Sequence, residues 1–338
     1  MTSSEPHGRG PVPEPDPSGI APPAHLHDQG MPWHFGDPFR EQRLLVQGRG
    51  VVPLANRGLL TVTGPDRLGW LHSLTTQHLT GLAPSSSSLA LILSPHGHVE
   101  FELHLVDDGD TTWIITQPGQ AEPLRAYLSS MVFMLAVQVA DRSGEFSIRW
   151  EPIAQPESGR PTWLVPAEFA ERGYRGREVI LARDDPRARL SDRDDLAGSW
   201  ALEALRVAAM MPRIDCETDH RTIPNEVGWL TSAVHLDKGC YRGQETVAKV
   251  HNLGQPPRRL ALVHLDGSSE EPPRHGDRIL LDGKEVGWIG TGAQHHELGP
   301  IATAILKRNV PGQAPLVVVG ADGSTVVAQQ EVRSPAGS

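Results

Sequence analysis

The sequence predicts an α+β fold that ends in a small antiparallel β-barrel. Three stretches carry that expectation. In "GLLTVTGPDRLGWLHSLTTQHLTGL" (58–82), Leu60 and Val62 alternate as in a strand, and then Leu68, Leu71 and Leu74 recur every three residues as on one helix face. "SWALEALRVAAMM" (199–211) is a second helix, with Leu202, Leu205 and Ala209 on one face and Pro212 beyond its end. From Arg258 onward short strands follow one another without a helical period, which suits a barrel of about 75 residues.

The elements are expected in the following order. Residues 1–30 hold seven prolines and no aromatic residue, too little apolar surface to offset ordering entropy, so they read as a disordered tail with folding from Trp33. Pro65 and Asp66 open the helix that carries Leu68. Residues 88–116 read as strands joined by turns at Pro95–Gly97 and Asp107–Asp110. A helix over Pro123–Met134 and strands at Val137–Val139 and Phe146–Trp150 complete a first α+β unit. Short strands and turns occupy 151–195, and Ser199 is placed to cap the helix that follows. Residues 213–242 form a long polar loop of the kind that usually serves function. Pro256–Pro257 marks a boundary, and Asp282–Gly283 and Asp322–Gly323 are hairpin turns of the barrel. The expected organisation is a tail (1–30), an α+β region of two lobes (31–255) and a barrel (256–333).

Composition removes several functional classes. The 338 residues are 38% hydrophobic and 21% charged, with a net charge of −10, so there is no global basic footprint for nucleic acid. No apolar run approaches the ~18 residues of a membrane span, and the opening residues lack a signal-peptide pattern, which makes the cytoplasm the expected location. Two cysteines do not build a disulfide framework or supply the four thiolates a cluster usually needs. No metal-binding spacing, no phosphate-binding G-x-x-x-x-G-K-[ST] and no G-x-S-x-G nucleophile elbow occurs, so no metal is expected.

Cys240, in "AVHLDKGCYRGQETVAKVHNLG", is the chief chemical candidate. Gly239 and Gly243 allow close backbone approach by a ligand, and Lys238 and Arg242 are placed to favour a thiolate. These features do not separate a nucleophile from a ligand contact. Carboxylates beside candidate loops, among them Glu100, Glu102, Asp215, Glu226 and Glu245, leave acid–base chemistry open.

"KGCYRGQETVAKV" (238–250) resembles the K-G-C-Y-x-G-Q-E signature of the YgfZ-type folate-binding proteins, relatives of the glycine-cleavage aminomethyltransferase. "GPDRLGWLHSLTTQHLTGL", "LSPHGHV", "LRVAAMMP" and "IPNEVGWL" resemble further elements of that family, and the similarity runs from about Trp33 to Val332. The resemblance implies a ring of two intertwined ferredoxin-like lobes plus the C-terminal barrel, with tetrahydrofolate in a central hole. It implies a role in assembly or repair of iron–sulfur proteins, with client proteins or the assembly machinery as partners; beside it, the composition leads us to expect no membrane and no direct nucleic-acid partner, and a monomer is expected. On this footing Cys240 is the functional thiol. Lys238, Gly239, Tyr241, Gly243, Gln244 and Glu245 form a rim loop, Asn225 and Glu226 lie in the loop before it with Glu226 as pterin anchor, and Arg206 or Lys249 meets the folate carboxylates.

Departures from the family pattern keep other functions open. The paired aspartates of the true aminomethyltransferases are replaced by "HVEFELHLV", in which Glu102 is the nearest carboxylate. Ala208 stands where the family helix carries a glutamate, and Met210 where it carries glycine. Lys249 preserves charge but not the bidentate fork of arginine. A folate-dependent one-carbon transferase using Glu102 is one alternative, and a client-binding scaffold that has lost folate is the other.

Overall fold

In the computed structural model, residues 19–331 are described, apart from 156–158, 192 and 270. Most of the expected tail (1–18) therefore lies outside the described residues. Residues 19–30 correct the expectation of disorder. Ile20 bridges His34 in antiparallel fashion, Trp33 N donates to Ile20 O, and buried Asp28 pairs with Arg213 Nη1 at 3.0 Å. This segment is a strap across the molecule, and its ordering comes from these contacts, not from its own composition.

Helix α1 (Pro38–Val46) and strand β1 (Val52–Pro53) precede β2 (Gly58–Thr63), α2 (Arg67–Leu74), β3 (Ser86–Leu93), β4 (Val99–Asp107), β5 (Thr111–Thr116), α3 (Ala121–Ser130) and β6 (Gln138–Asp141). Then come β7 (Phe146–Pro152), β8 (Thr162–Leu164), α4 (Ala167–Ala170), β9 (Gly176–Ala182) and α5 (Ser199–Ala208). The single helical turns α6 (Pro224–Val227) and α7 (Trp229–Ser232) lead to α8 (Gln244–Leu253). The barrel strands are β10 (Arg258–Leu265), β11 (Arg278–Leu281), β12 (Lys284–His295), β13 (Gly299–Lys307), β14 (Pro315–Val319) and β15 (Thr325–Gln330).

The first lobe is a five-stranded sheet in the order β3-β4-β5-β2-β6. The second is a four-stranded sheet, β1-β7-β9-β8, and β1 enters it before the first lobe has begun. The chain thus winds the two lobes together. Leu89, Leu91 and Leu93 of β3 share a buried core with Trp150, Trp163 and Ile180 of the second sheet and with Leu202 and Leu205 of α5. The other face of the first sheet packs under α2 and α3 through Leu71, Leu124 and Leu128. The barrel closes in the order β10-β13-β12-β11-β14-β15 around its own core. Its β11–β12 hairpin turns on Asp282 (φ 50°) and Gly283 (φ 75°), the two left-handed residues that a two-residue connection of this twist requires.

Two helix ends differ from expectation. Ser199 does not cap α5. Gly198 is the N-cap, and the helix's leading N–H groups donate to the strap instead: Ser199 N to Pro32 O and Trp200 N to Trp33 O. The helix also stops at Ala208, three residues early, because Met210 takes a left-handed φ of 56° that suits glycine better. Likewise α3 ends at Ser130 and not at Met134.

Candidate functional site

The signature loop is fixed from below and open above. Lys238 is buried, and its Nζ donates to the carbonyls of His72, Thr75 (2.6 Å) and Gln77 (3.0 Å) at the C-terminal end of α2. Burial pushes its ammonium down to about 8, yet three acceptors use all three of its protons. Gly243 (φ 81°) lies against the Ser94–Gly97 turn, where a Cβ would stand 2.5 Å from Ser94 O. That contact joins the "LSPHGHV" turn to the signature. Tyr241 is buried under the loop, and Gln244 Nε2 donates to Lys238 O at 3.3 Å. Cys240 is exposed at the crest. Of the two neighbouring cations, Lys238 is spent on carbonyls and Arg242 pairs with Glu100 at 3.0 Å. Gly239, Glu245 and Lys249 are exposed beside it. Cys216 is the opposite case: its thiol is buried, accepts from Arg213 Nε at 3.2 Å, and is pushed up to about 12 by burial.

Several expected ligand groups are committed elsewhere. Arg206 is buried and bonds Glu203, Glu217, Thr291 Oγ1 (2.7 Å) and Met211 O, so it cannot reach a folate carboxylate. Glu226 is equally closed. Its Oε1 accepts from Arg258 Nε (2.8 Å), and its Oε2 from Arg258 Nη2 (2.8 Å) and Ile223 N (3.1 Å). The carboxylate expected to anchor a pterin thus bonds Arg258 and the Ile223 backbone in this structure. Asn225 gives Nδ2 to Val247 O at 3.3 Å, and its buried Oδ1 has no partner among the described residues. Ala208 packs with Leu262, Ala293 and Ile301 of the barrel, an apolar contact in place of the family glutamate.

Glu102 is buried, and both its oxygens have partners. Its Oε1 meets His104 Nε2 at 3.1 Å, and its Oε2 accepts from Ile214 N at 2.9 Å. His104 Nδ1 lies 2.8 Å from Glu178 Oε2 on β9, and the imidazole stacks on Trp163 at 3.7 Å and 9°. Burial opposes a charge on His104, but Glu178 and Glu102 outweigh it and raise its pKa to about 9. This is a charged link between the lobes. Because the folded pKa lies above the ordinary 6.5, its stabilisation is complete below pH 6.5 and is lost as pH rises through 9. Urea unfolding is expected to show wild type losing about 3 kcal/mol more than His104→Asn between pH 6.5 and 9.5; equal losses in both proteins would contradict the assignment.

A second polar group sits at one end of the first sheet, outside the residues singled out from the sequence. Gly58 and Thr116 are register partners, so the Asn56–Arg57 turn entering β2 lies beside the Thr116–Gln117 end of β5. Thr116 and Gln117 are buried, yet Thr116 Oγ1, Gln117 Oε1, Arg57 Nε and Nη1, and both amide atoms of Asn56 lack a partner among the described residues. Buried polar atoms left in this state cost about 1–3 kcal/mol each unless something else bonds them. Leu103 pairs with Thr116, which brings the Glu102 end of β4 to the same place. Arg57 is close enough to act electrostatically on Glu178 of the second lobe and Glu203 of α5, and Gly30 of the strap approaches Asn56. The group thus faces the junction of both lobes, the strap and α5. Among the described residues, no set of three or more His, Cys, Asp and Glu side chains is placed to hold a metal.

No protein-family profile matches the chain. A chloroplastic protein of Arabidopsis thaliana named as a transferase is 32% identical over 311 residues, 82% of this chain and 70% of that one. The tRNA-modifying protein YgfZ of Yersinia enterocolitica is 26% identical over 271 residues, 72% and 79% of the two chains. The chain is a YgfZ-type member of the GcvT-like superfamily. Aminomethyltransferases of that superfamily are similar across the same length, as in Nostoc sp., at 25% identity over 310 residues and 81% of each chain. The glycine cleavage aminomethyltransferase T of Bartonella henselae shares the fold, with a TM-score of 0.77 over 93% of each chain at 17% identity. The ring of two wound lobes and a barrel is therefore the architecture of this YgfZ-type protein. Among its described residues no helix is long and apolar enough to cross a membrane.

Proposed function

We propose that this protein binds tetrahydrofolate and serves the assembly or repair of iron–sulfur proteins, with Cys240 as its working thiol. The observation that carries the folate part is the unpartnered polar group at the end of β2 and β5. A pterin presents an amide-like edge and an amino group, so it needs both acceptors and donors. Gln117 Oε1 and Thr116 Oγ1 supply acceptors, Arg57 supplies N–H donors, and the Asn56 amide supplies both. The residues fit the ligand although the family glutamate is missing at Ala208. When bound, tetrahydrofolate supplies reduced nitrogens able to carry a one-carbon unit.

The chain's own residues favour a supporting factor over a transferase. Glu102 is buried with both oxygens engaged, one by His104 and one by Ile214 N, and so is held in a structural contact between the lobes. The exposed thiol, by contrast, is presented on a loop anchored by the buried Lys238 and Tyr241 and by the close approach of Gly243 to the Ser94–Gly97 turn, within reach of a partner protein. Iron–sulfur proteins and their assembly machinery are the proposed partners, with the cytoplasm as the proposed site of action.

The test of the ligand site is a calorimetric titration of tetrahydrofolate into wild type and Gln117→Leu. Loss of one buried acceptor is expected to weaken binding roughly ten-fold or more. Unchanged affinity in Gln117→Leu would remove the sheet end from the site, and Glu226→Ala, whose carboxylate is closed, is expected to act through stability alone.

A further inference from the structure

A cleft of about 250 Å³ opens between the strap, the first turn of α5 and the barrel, and no signature residue lines it. It shares no lining residue with the polar group at the sheet end. Its walls are rings. Trp33 and Trp200 stand 6.0 Å apart at 52°, and His27 meets His275 edge-on at 4.9 Å. A cavity of about 150 Å³ holds a benzene, so this one has room for a fused pair of rings.

The inner end of the cleft is a fixed donor. Arg213 Nε donates to Cys216 Sγ at 3.2 Å, and Nη1 to Asp28 at 3.0 Å and Glu203 at 3.1 Å. Nη2 has no hydrogen-bond partner among the described residues, and Arg213 lines the cleft. The carboxylates bonded to this guanidinium are themselves ion-paired. Asp28 is bound by Arg213, and Glu203 by both Arg213 and Arg206. At the rim, Glu271 pairs with Arg274. Three carbon-rich faces and one rigid N–H edge describe a slot for a flat molecule with an acceptor at one end.

We propose that this cleft is a second ligand site, which takes a planar aromatic molecule of one or two rings bearing a carboxylate or carbonyl oxygen. The rings lie against the indole of Trp200 and the imidazole of His27, and the oxygen accepts from Arg213 Nη2. The strap forms one wall, so an occupied cleft also holds the strap down.

The probe is 2-naphthoate, titrated into the full-length protein and followed by saturation-transfer NMR, with 2-naphthylmethylammonium as the cation of matching shape. Saturable binding of the naphthoate, at least ten-fold tighter than the ammonium compound, is expected. Leu26→Trp places an indole from the strap into the cleft and is expected to weaken binding at least ten-fold while tetrahydrofolate affinity stays at its wild-type value. His27→Ala, a change at an exposed wall residue, serves where Leu26→Trp fails to fold, and is expected to weaken binding in the same direction. Absence of saturable binding up to about 1 mM, equal binding in the variants, or preference for the cation would each overturn the proposal. Loss of tetrahydrofolate binding in the wild type would leave it standing, since the two sites have separate linings.

Discussion

Cys240→Ala is expected to abolish support of iron–sulfur enzymes in cells lacking the native protein, while changing the unfolding free energy from urea denaturation by no more than about 0.5 kcal/mol. The thiol is exposed at the crest of its loop, and none of the bonds that fix that loop uses its sulfur. Backbone geometry at Gly243 and the lysine cap on α2 remain when the sulfur goes. The buried cysteine supplies the contrast. Cys216→Ala removes an acceptor from the Arg213 guanidinium and is expected to cost about 1–3 kcal/mol of stability. A Cys240→Ala protein that retains full activity, or one that unfolds, contradicts the assignment of a functional thiol.

Glu217→Ala is expected to have the largest effect on stability, about 3–5 kcal/mol. The fully buried carboxylate accepts five hydrogen bonds: Oε2 from Arg206 Nη1 and Arg213 N, both at 2.9 Å, and Oε1 from Arg206 Nη2 (3.3 Å), Thr291 Oγ1 (2.6 Å) and Thr303 Oγ1 (2.7 Å). These donors come from α5, the loop after it and the barrel, so one side chain ties the second lobe to the barrel. Truncation leaves part of the Arg206 charge uncompensated inside the protein and two hydroxyls without an acceptor. A domain holds only about 5–15 kcal/mol in total, so the variant is expected to be partly unfolded near body temperature. Glu217→Gln keeps the volume and one acceptor oxygen and should lose less. Equilibrium urea unfolding distinguishes the two, and a loss under about 1 kcal/mol in Glu217→Ala would contradict the network's role.

The elements most legible in the sequence were those specified by local chemistry. The Asp282–Gly283 turn needs two left-handed residues in a row, and Asp-Gly declares that need directly. Gly243 likewise allowed a close approach, although that the neighbour is the Gly97 turn is a tertiary fact. Side-chain commitment was not legible. Arg206, Glu226, Lys238 and Glu102 were charged residues next to family motifs, which is what a binding residue looks like along the chain. Their partners lie 11, 32 and 163 residues away in the cases of Glu217, Arg258 and Thr75. The converse holds for Arg57, Thr116 and Gln117. Having no partner is a property of the folded neighbourhood, and the only local hint was polar residues at strand ends in "ANRGLL" and "IITQPG". Composition also misjudged the strap: prolines predict disorder only where nothing else supplies hydrogen bonds, and here α5 and Arg213 do.

The measurement that bears most directly on the central claim is a calorimetric titration of tetrahydrofolate into wild type, Cys240→Ala and Arg57→Leu. The account predicts saturable binding to wild type, the same affinity in Cys240→Ala, and a loss of at least ten-fold in Arg57→Leu, which removes the donors proposed for the pterin. Absence of binding to the folded wild type, or an affinity that follows the thiol and ignores Arg57, would contradict it and favour a scaffold that has lost its ligand.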